Sequence, residues 1–289
     1  AGGDVNADYI AVYDTAAPNN GWTSIASSNA YVFSGEVKTL LVVGDRLFVG
    51  GSFSSDVTNS LNECIRMLNL ANSPPTWVNL GGGTTVTGTN KVVNDIEVDT
   101  NAASSIFIVG GFASLGGPRY VSRYDYVAGT YSTVGTGINY VDSTAQAQSI
   151  AQIGTTYYVG FSNVGNTKPL LQVINGSTST TSLYWSTSGS WPIYYGGIKG
   201  VFDLRISGTD LYVGGNFDDA GGAIANFAKF DTTAGSVHNS AAWTAPVANL
   251  QCDSGIQNAC ISKIQILNSE IYIGGFIGFG HINTTQGTM

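Results

Sequence analysis

The stretch LYVGGNFDDAGGAIANFAKFD, residues 211–231, decides the fold because variants of its first half recur along the chain. The variants are LFVGGSF from residue 47, IFIVGGF from 106, YYVGFSN from 157 and IYIGGFI from 271. The first glycines of the five copies are 60, 50, 54 and 60 residues apart. This period is too long for leucine-rich or ankyrin repeats and close to that of four-stranded propeller blades.

Each copy predicts four short strands joined by turns of hairpin length. In the fourth copy these are VFDLRI (201–206), LYVGGNF (211–217), NFAKFD (226–231) and a run around Trp243. The first strands alternate with a period of two, which is a strong strand signal. One face carries the apolar set Leu40, Ile96, Ile150, Leu204 and Ile264. The other face carries the largely polar set Thr39, Asp95, Ser149, Asp203 and Lys263.

The predicted fold class is therefore all-β: a β-propeller of four-stranded antiparallel blades, forming a single domain over residues 1–289. The inner hairpins are predicted near 37–53, 92–112, 148–161, 201–217 and 262–276. The paired glycines after each second strand predict a bulge or a close backbone approach to a neighbouring strand. The third copy has Gly160 followed by Phe161, so its sheet is expected to pack differently.

The opening AGGDVNADYIAVYD matches AGGAIANFAKFD at residues 220–231, so the sequence starts in the second half of a repeat. We therefore expect five blades, with residues 9–26 completing the blade begun by residues 261–276 and hiding both terminal sheet edges. The alternative is that the sequence is a cut from a longer array of repeats.

Composition excludes several classes of function. The formal net charge is −8, and the Lys and Arg residues are scattered singly, so no cationic stripe is present for nucleic acid. No apolar run approaches the roughly 20 residues that a membrane-spanning helix needs. Low charge and abundant Ser and Thr are typical of exported chains, which predicts an extracellular or cell-surface location.

Cysteines and polar turns supply the remaining structural predictions. Cys252 and Cys260 flank a polar loop and are predicted to form a disulfide, with three reduced thiols as the alternative; Cys64 is predicted to pack as a small apolar side chain. Asn175 and Asn283 are glycosylation sequons. Asp4, Asn6 and Asp8 have the spacing of a calcium loop, but Tyr9 replaces the usual glycine and no bidentate Glu follows. We interpret this segment, like the acidic pair Asp218 and Asp219, as a polar turn, with bound calcium the open alternative and no other cofactor expected.

The sequence LYVGGNFDDAGGAIANFAKFD followed by a Trp-containing strand resembles the kelch-like propeller repeats of secreted bacterial surface proteins. It is also similar to the propeller regions of fungal cortical-marker glycoproteins. The resemblance covers nearly the whole chain but is structural, and it implies an exported, often glycosylated surface or matrix protein without a defined catalytic site.

The first hypothesis is therefore a structural or adhesive module of a surface layer, filament or matrix, contacting other subunits and not acting as an enzyme. The predicted contact surface is the loop face with Phe217, Asp218, Asp219, Phe276 and Phe279, although such Phe residues commonly pack between blades. A lectin-like propeller that binds surface glycans is the second hypothesis. A glycosidase is the third, with Asp95, Asp203 and Glu97 as its carboxylates. The alternative is that these acids are solvated residues of a central channel or pair with Lys263 and Arg205. A homo-oligomer or filament is compatible with the first hypothesis.

Overall fold

The computed structural model describes most of the repeat pattern. The described residues are 9–16, 21–25, 33, 35–53, 64–78, 80, 91–115, 119–135, 138, 145–162, 170–176, 179–181, 200–217, 220, 224–234, 237, 240–247, 261–268, 270–275 and 278–283. The chain divides into two compact units, Ala1–Thr133 and Val134–Met289, each described below by itself. The single domain over residues 1–289 therefore stays a prediction.

The first unit contains a two-stranded sheet and two four-stranded sheets, all antiparallel. The two-stranded sheet pairs β1 (Ala11–Tyr13) with β2 (Trp22–Ser24). The next sheet has the order β3 (Glu36–Val43), β4 (Arg46–Ser52), β5 (Ile65–Asn69) and β6 (Thr76–Val78). The third has the order β7 (Val93–Val98), β8 (Ser105–Gly110), β9 (Val121–Asp125) and β10 (Thr130–Ser132).

The second unit repeats this meander. One set of four strands is β11 (Gln146–Ile153), β12 (Thr156–Ser162), β13 (Leu171–Asn175) and β14 (Ser179–Thr181). The next set is β15 (Gly200–Ser207), β16 (Asp210–Asn216), β17 (Phe227–Asp231) and β18 (Trp243–Thr244), joined to the first set by the single pair Ser162–Gly200. The last sheet has the order β19 (Ile261–Leu267), β20 (Glu270–Gly275) and β21 (Gly278–Asn283).

These strands confirm the predicted fold class: the chain is all-β, built from repeated antiparallel sheets of the four-stranded kind found in propeller blades. Helical structure in the described part of the chain is limited to two short 3-10 turns, Thr232–Ala234 and Ser240–Ala242. The number of blades stays a prediction.

A β-bulge recurs at one position in all five first strands. In each strand the pairing register shifts by one residue near its start. The shifts lie between Val37 and Thr39, Val93 and Asp95, Ala147 and Ser149, Val201 and Asp203, and Ile261 and Lys263. A bulge adds local twist to its strand, so its repetition gives every sheet the same bend at the same place.

Glycines near the ends of the second strands β4 and β16 lie where the neighbouring sheet leaves no space for a side chain. A Cβ on Gly50 would lie 2.5 Å from Cγ1 of Val93 in the next sheet, and one on Gly214 would lie 2.6 Å from Cγ2 of Ile261. The close approach predicted from the paired glycines is therefore confirmed. The register also corrects the alignment of the second copy, since Val109 and not Gly110 occupies the position of Gly50.

Successive sheets pack face to face within each unit. In the first unit, Phe48 and Ile65 of one sheet share a buried cluster with Val93 and Ile96 of the next. In the second unit, Tyr158 of β12 packs with Val213 and Phe230 of the β15–β18 set in another such cluster. Second strands such as β8 and β12 are buried on both faces, so stacking of the sheets is what removes their apolar surface from water.

The predicted completion of the last sheet by residues 9–26 is wrong for the strand pairing. The third strand beside β20 is β21, whose Phe279 pairs with Gly274 and whose Asn283 pairs with Glu270, while β1 pairs with β2. The sequence GFGHIN at 278–283 fits the third-strand pattern, an apolar residue followed four positions later by Asn or Asp, as in FAKFD at 227–231. The last sheet therefore contains its own third strand.

Candidate functional site

Asp203 is the centre of the most connected polar cluster among the described side chains. Its carboxylate is fully buried. Its Oδ2 accepts a hydrogen bond of 2.6 Å from the backbone N–H of Ile264 on β19, one sheet further along. Its Oδ1 lies 3.3 Å from the hydroxyl of Ser149, which donates to it and accepts from the N–H of Leu204 at 3.1 Å. Ser149 and Asp203, which occupy the same position in successive strand sets, thus each bond to the backbone of the following set.

Two cations complete the cluster. Nη2 of Arg205 lies 3.3 Å from Oδ1 of Asp203, and Nζ of Lys263 lies 3.7 Å from the same oxygen. The Nε–H of Arg205 also donates to the carbonyl of Ile264 at 3.1 Å. The interpretation that this acid pairs with Lys263 and Arg205 is therefore confirmed, and the buried carboxylate is compensated as a buried charge must be.

Two carboxylates of the first unit, Asp95 and Asp99, are also buried, whereas the candidate Glu97 is half-buried. Asp95 is 2% exposed on β7, and Asp99, just past the end of that strand, forms an ion pair of 2.7 Å with Arg123. The guanidinium of Arg123 also lies over the Phe107 ring at 5.6 Å. A glycosidase needs two carboxyl groups facing one open sugar-sized gap. Buried acids tied to packing partners do not provide this.

The predicted contact residues divide into buried and undescribed ones. Phe217 is 3% exposed and belongs to the core of the second unit, so the prediction that its ring contacts a partner is wrong. Phe53 and Phe112 occupy the same position in their sheets and are buried as well. Asp218, Asp219 and Phe276 lie outside the described residues, and Phe279 is described only as part of the backbone of β21.

Backbone pairing explains why these Phe residues are buried. The carbonyl of Phe217 accepts from the N–H of Asn226 at 2.9 Å, and the N–H of Gly215 donates to the carbonyl of Asn226 at 3.0 Å. The same two bonds join Cys64 to Phe53 and Gly51 in the first unit. The loop between second and third strands is thus tied at its base, which turns the Phe side chain into the core.

The remaining predicted positions are at strand ends or outside the described residues. Asn175 is the exposed last residue of β13, and its Oδ1 accepts from the hydroxyl of Thr156 at 2.9 Å. Asn283 is the last residue of β21. Cys64 is buried, as predicted. The cysteines of the predicted disulfide, Cys252 and Cys260, lie outside the described residues. The residues of the possible calcium loop, Asp4, Asn6 and Asp8, also lie outside them. Glycosylation, the disulfide and calcium all stay predictions.

Acidic residues at the ends of third strands shape the outer turns. Oδ1 of Asp231 accepts from both the N–H and the hydroxyl of Thr233, and these bonds lower the pKa of Asp231. Backbone N–H groups of Ala128 and Val127 do the same for Asp125. These acids therefore close turns, and within the described residues no group of three or more His, Cys, Asp or Glu is placed to hold a metal ion.

The feature that the sequence did not predict is an uncovered apolar face on β3. Leu40 is 53% exposed and Val42 is 62% exposed. At the position of Leu40, the other four sheets carry side chains that are at most 2% exposed: Ile96, Ile150, Leu204 and Ile264. The alternation of β3 is the same as in the other copies, so nothing in that strand alone distinguishes a covered face from an uncovered one.

An exposed aromatic pair lies on the hairpin next to this face. Tyr13 and Trp22 face each other across β1 and β2 with ring centroids 5.0 Å apart, and they are 41% and 46% exposed. Phe230 and Trp243 form the matching pair in the second unit at 4.9 Å, and both are buried. On its other side the β1–β2 hairpin packs Ile10 against the core around Val49. The same kind of cross-strand aromatic pair is thus exposed on the β1–β2 hairpin and buried in the second unit.

The comparisons with known proteins identify no family. No protein-family model matches the chain, and no curated protein matches it. Among solved structures, it is similar to an extracellular domain from B. thetaiotaomicron, BT4673, with 13% identity, a TM-score of 0.48, and coverage of 88% of this chain and 28% of that one. It is also similar to an ancestral GH74 enzyme with 12% identity, a TM-score of 0.49, and coverage of 83% of this chain and 27% of that one.

A third similar structure is the extracellular domain BT3049 of B. thetaiotaomicron, with 11% identity and a TM-score of 0.44 over 89% of this chain and 34% of that one. The chain thus spans about a third or less of the length of these proteins. Within the described part of the chain, no helix is long and apolar enough to cross a membrane.

Proposed function

We propose that this chain is a structural module of an extracellular or cell-surface assembly and that it acts through protein–protein contacts. The observation that carries the proposal is the uncovered apolar face of β3 with Leu40 and Val42, beside the exposed pair Tyr13 and Trp22. Contiguous exposed apolar groups on a soluble domain are typical of interaction sites. Exported location is supported by the low charge and the high Ser and Thr content of the sequence.

The polar chemistry of the molecule supports a rigid module in place of a catalyst. The buried Asp203 cluster links consecutive sheets of the second unit through the backbone N–H of Ile264 and the cations of Arg205 and Lys263. Such bonds leave the carboxylate no free direction toward a substrate. Stacked sheets held this way give a stiff body that presents its outer faces for contact.

Sedimentation velocity of the purified chain over a wide concentration range tests this proposal. We expect the weight-average mass to rise with concentration, and we expect replacing Leu40 and Val42 by Asp and Lys to abolish the rise. Val127→Lys is a matched control, since Val127 is 73% exposed but lies in the turn between β9 and β10. A wild-type chain that is monomeric throughout would contradict the proposal.

A carbohydrate-binding module is the second candidate, and the exposed pair Tyr13 and Trp22 is the observation that favours it. Exposed aromatic rings present apolar faces of the size of a sugar ring. A glycan array is the test: specific hits that disappear in Trp22→Ala would support this candidate, and an array without hits would remove it.

A further inference from the structure

We propose that the second unit carries a binding site for a neutral sugar, in which the amide of Gln148 and the ring of Phe202 contact the ligand. This inference goes beyond the assembly function, and it is independent of the exposed pair Tyr13 and Trp22, which belongs to the first unit. The site lies where the β-bulges of two neighbouring first strands, β11 and β15, turn one side chain each out of the regular pairing.

The two bulges place the contacting side chains. Gln148 is the extra residue in β11, and Phe202 is the extra residue in β15. Both side chains are half-buried, whereas the residues immediately before and after each of them are buried. The two strands are adjacent at this point, since the hydroxyl oxygen of Ser149 lies 3.3 Å from Oδ1 of Asp203. Bulges that re-aim a side chain in this way are common next to active sites.

The amide of Gln148 is held in one orientation by its neighbours. Its Nε2 donates to the hydroxyl oxygen of Ser162 at 2.6 Å and to Oε1 of Gln146 at 3.4 Å. Ser162 is 1% exposed, so it positions the amide and does not itself reach a ligand. These bonds use both amide hydrogens, while no described residue donates to the carbonyl oxygen of Gln148. The cluster therefore presents one fixed hydrogen-bond acceptor at a half-buried position.

The ring of Phe202 lies beside this amide because Gly200 leaves room for it. Gly200 pairs with Ser162, the partner of the Gln148 amide, where β12 meets β15. A Cβ on Gly200 would lie 3.0 Å from Cζ of Phe202 and 2.6 Å from Cβ of Ser162. The ring thus extends back along its own strand toward Ser162, and within the described chain it stacks on no other aromatic ring. Its unburied part is available to a ligand.

The chemistry of this pair fits a neutral sugar. A phenyl ring offers an apolar face to the C–H groups of a sugar ring, and an amide oxygen accepts from a sugar hydroxyl beside it. The cations of β15 and β19, Arg205 and Lys263, form ion pairs with the buried Asp203. The contacting side chains are themselves uncharged, so neither of them compensates a carboxylate, sulfate or phosphate that is removed from water. Uncharged sugars are therefore favoured over uronic acids and phosphorylated ligands.

The first unit shows that this chemistry is not a general property of the repeat. Its two bulges carry Lys38 and Asn94. Lys38 forms an ion pair of 3.0 Å with Glu36, which stands at the register position of Gln146. A charged pair thus replaces the neutral amides there, and neither bulge carries an aromatic ring. Among the described bulges, an amide and a ring stand side by side only on β11 and β15.

Titration of the full chain with neutral tetrasaccharides, followed by its amide NMR shifts, tests the site. The probes are cellotetraose, xylotetraose, mannotetraose and maltotetraose, with tetragalacturonate as the charged counterpart and adenosine as an uncharged ligand that stacks on rings. One ring and one amide give weak binding, with a Kd on the order of 1 mM. We expect at least one neutral tetrasaccharide to bind, and tetragalacturonate to bind at least about fivefold more weakly. Phe202→Ala and Gln148→Ala should each weaken the binding about fivefold or more.

Matched controls locate the site. Gln152→Ala removes another half-buried glutamine of β11, and Trp22→Ala removes the exposed ring of the first unit; neither should change the binding. Phe202→Leu keeps the bulk of the side chain and should weaken binding as Phe202→Ala does, even if the alanine variant folds poorly. The inference is wrong if no neutral tetrasaccharide binds at millimolar concentration, if binding survives both site variants or is lost in Trp22→Ala, or if tetragalacturonate or adenosine binds as tightly. Sedimentation of Gln148→Ala should match the wild type, so the sugar site and the assembly function stand or fall separately.

Discussion

Replacing Gly160 by Ala tests the steric reason for the glycines in the repeat. A Cβ at this position would lie 2.6 Å from Cγ1 and 2.9 Å from the carbonyl oxygen of Val201 on the neighbouring strand, and the oxygen belongs to backbone. Overpacking of this kind costs about 1–3 kcal/mol, while the lower chain entropy of Ala in the unfolded state offsets about 0.4–1 kcal/mol. The expected net loss in the free energy of unfolding is about 1 kcal/mol.

For a chain of this size the loss corresponds to a fall in melting temperature of about 2–4 °C, read by circular dichroism. The matched control is Gly274→Ala, which has the same register position but no atom within 4 Å of the added carbon. We expect the control to melt at the wild-type temperature or slightly above it. Equal destabilisation by both substitutions, or none by either, would show that the glycines are not selected by the neighbouring sheet.

Two further predictions follow from the contacts of Asp203 and Asp231. Asp203→Ala leaves the buried N–H of Ile264 without its acceptor and should cost about 3 kcal/mol in urea unfolding, with Asp203→Asn closer to wild type; an unchanged midpoint would contradict the linking role. Hydrogen bonds from Thr233 lower the folded-state pKa of Asp231, so its contribution to stability is present above about pH 4 and is lost as the pH falls through that lower value. The wild-type melting temperature should accordingly fall more steeply between pH 4 and pH 2 than that of Asp231→Asn, and parallel curves would contradict this cause.

The repeat arithmetic predicted the strands and their faces well, because both depend on local alternation. Leu204 and Ile264 are buried and Asp203 links two sheets, as the two columns of the first strand imply. The one-residue error at Gly110 arose because the second copy has its glycine pair one position later, and only the pairing of Asp95 with Val109 reveals the shift. Sequence periodicity shows on which face of a strand a residue lies, while the hydrogen-bond register shows which residue of the neighbouring strand it pairs with.

The closing sheet was predicted wrongly because its third strand lacks the usual composition. GFGHIN contains two glycines and a histidine, and glycine weakens the strand signal. The informative residue was Asn283, since third strands end in Asn or Asp at Asn69, Asp125, Asn175 and Asp231 as well. In these strands the terminal residue commonly caps the following turn, as Asp231 does for Thr233.

The candidate site was less predictable, because exposure depends on what a strand packs against. Phe217 follows a strand and precedes an acidic loop, a context that suits a contact residue, yet the two backbone bonds at Asn226 turn it inward. Leu40 lies in a column that is buried in every other copy, yet it is half-exposed. Neither the burial of Phe217 nor the exposure of Leu40 can be predicted from the residues next to it in the sequence.

The placement of polar links along the repeat explains why association between copies would differ from packing within one. Inside the second unit, Ser149 and Asp203 add buried hydrogen bonds to the next backbone to the apolar packing between strand sets. Such bonds add little net free energy when made but are expensive to leave unmade, so they enforce register within the unit. At the last sheet the same position is Lys263, whose side chain has no acceptor atom for such a bond. A face that packs through apolar side chains alone leaves no buried hydrogen-bonding group unpaired when its partner dissociates. A reversible contact between separate chains requires this property.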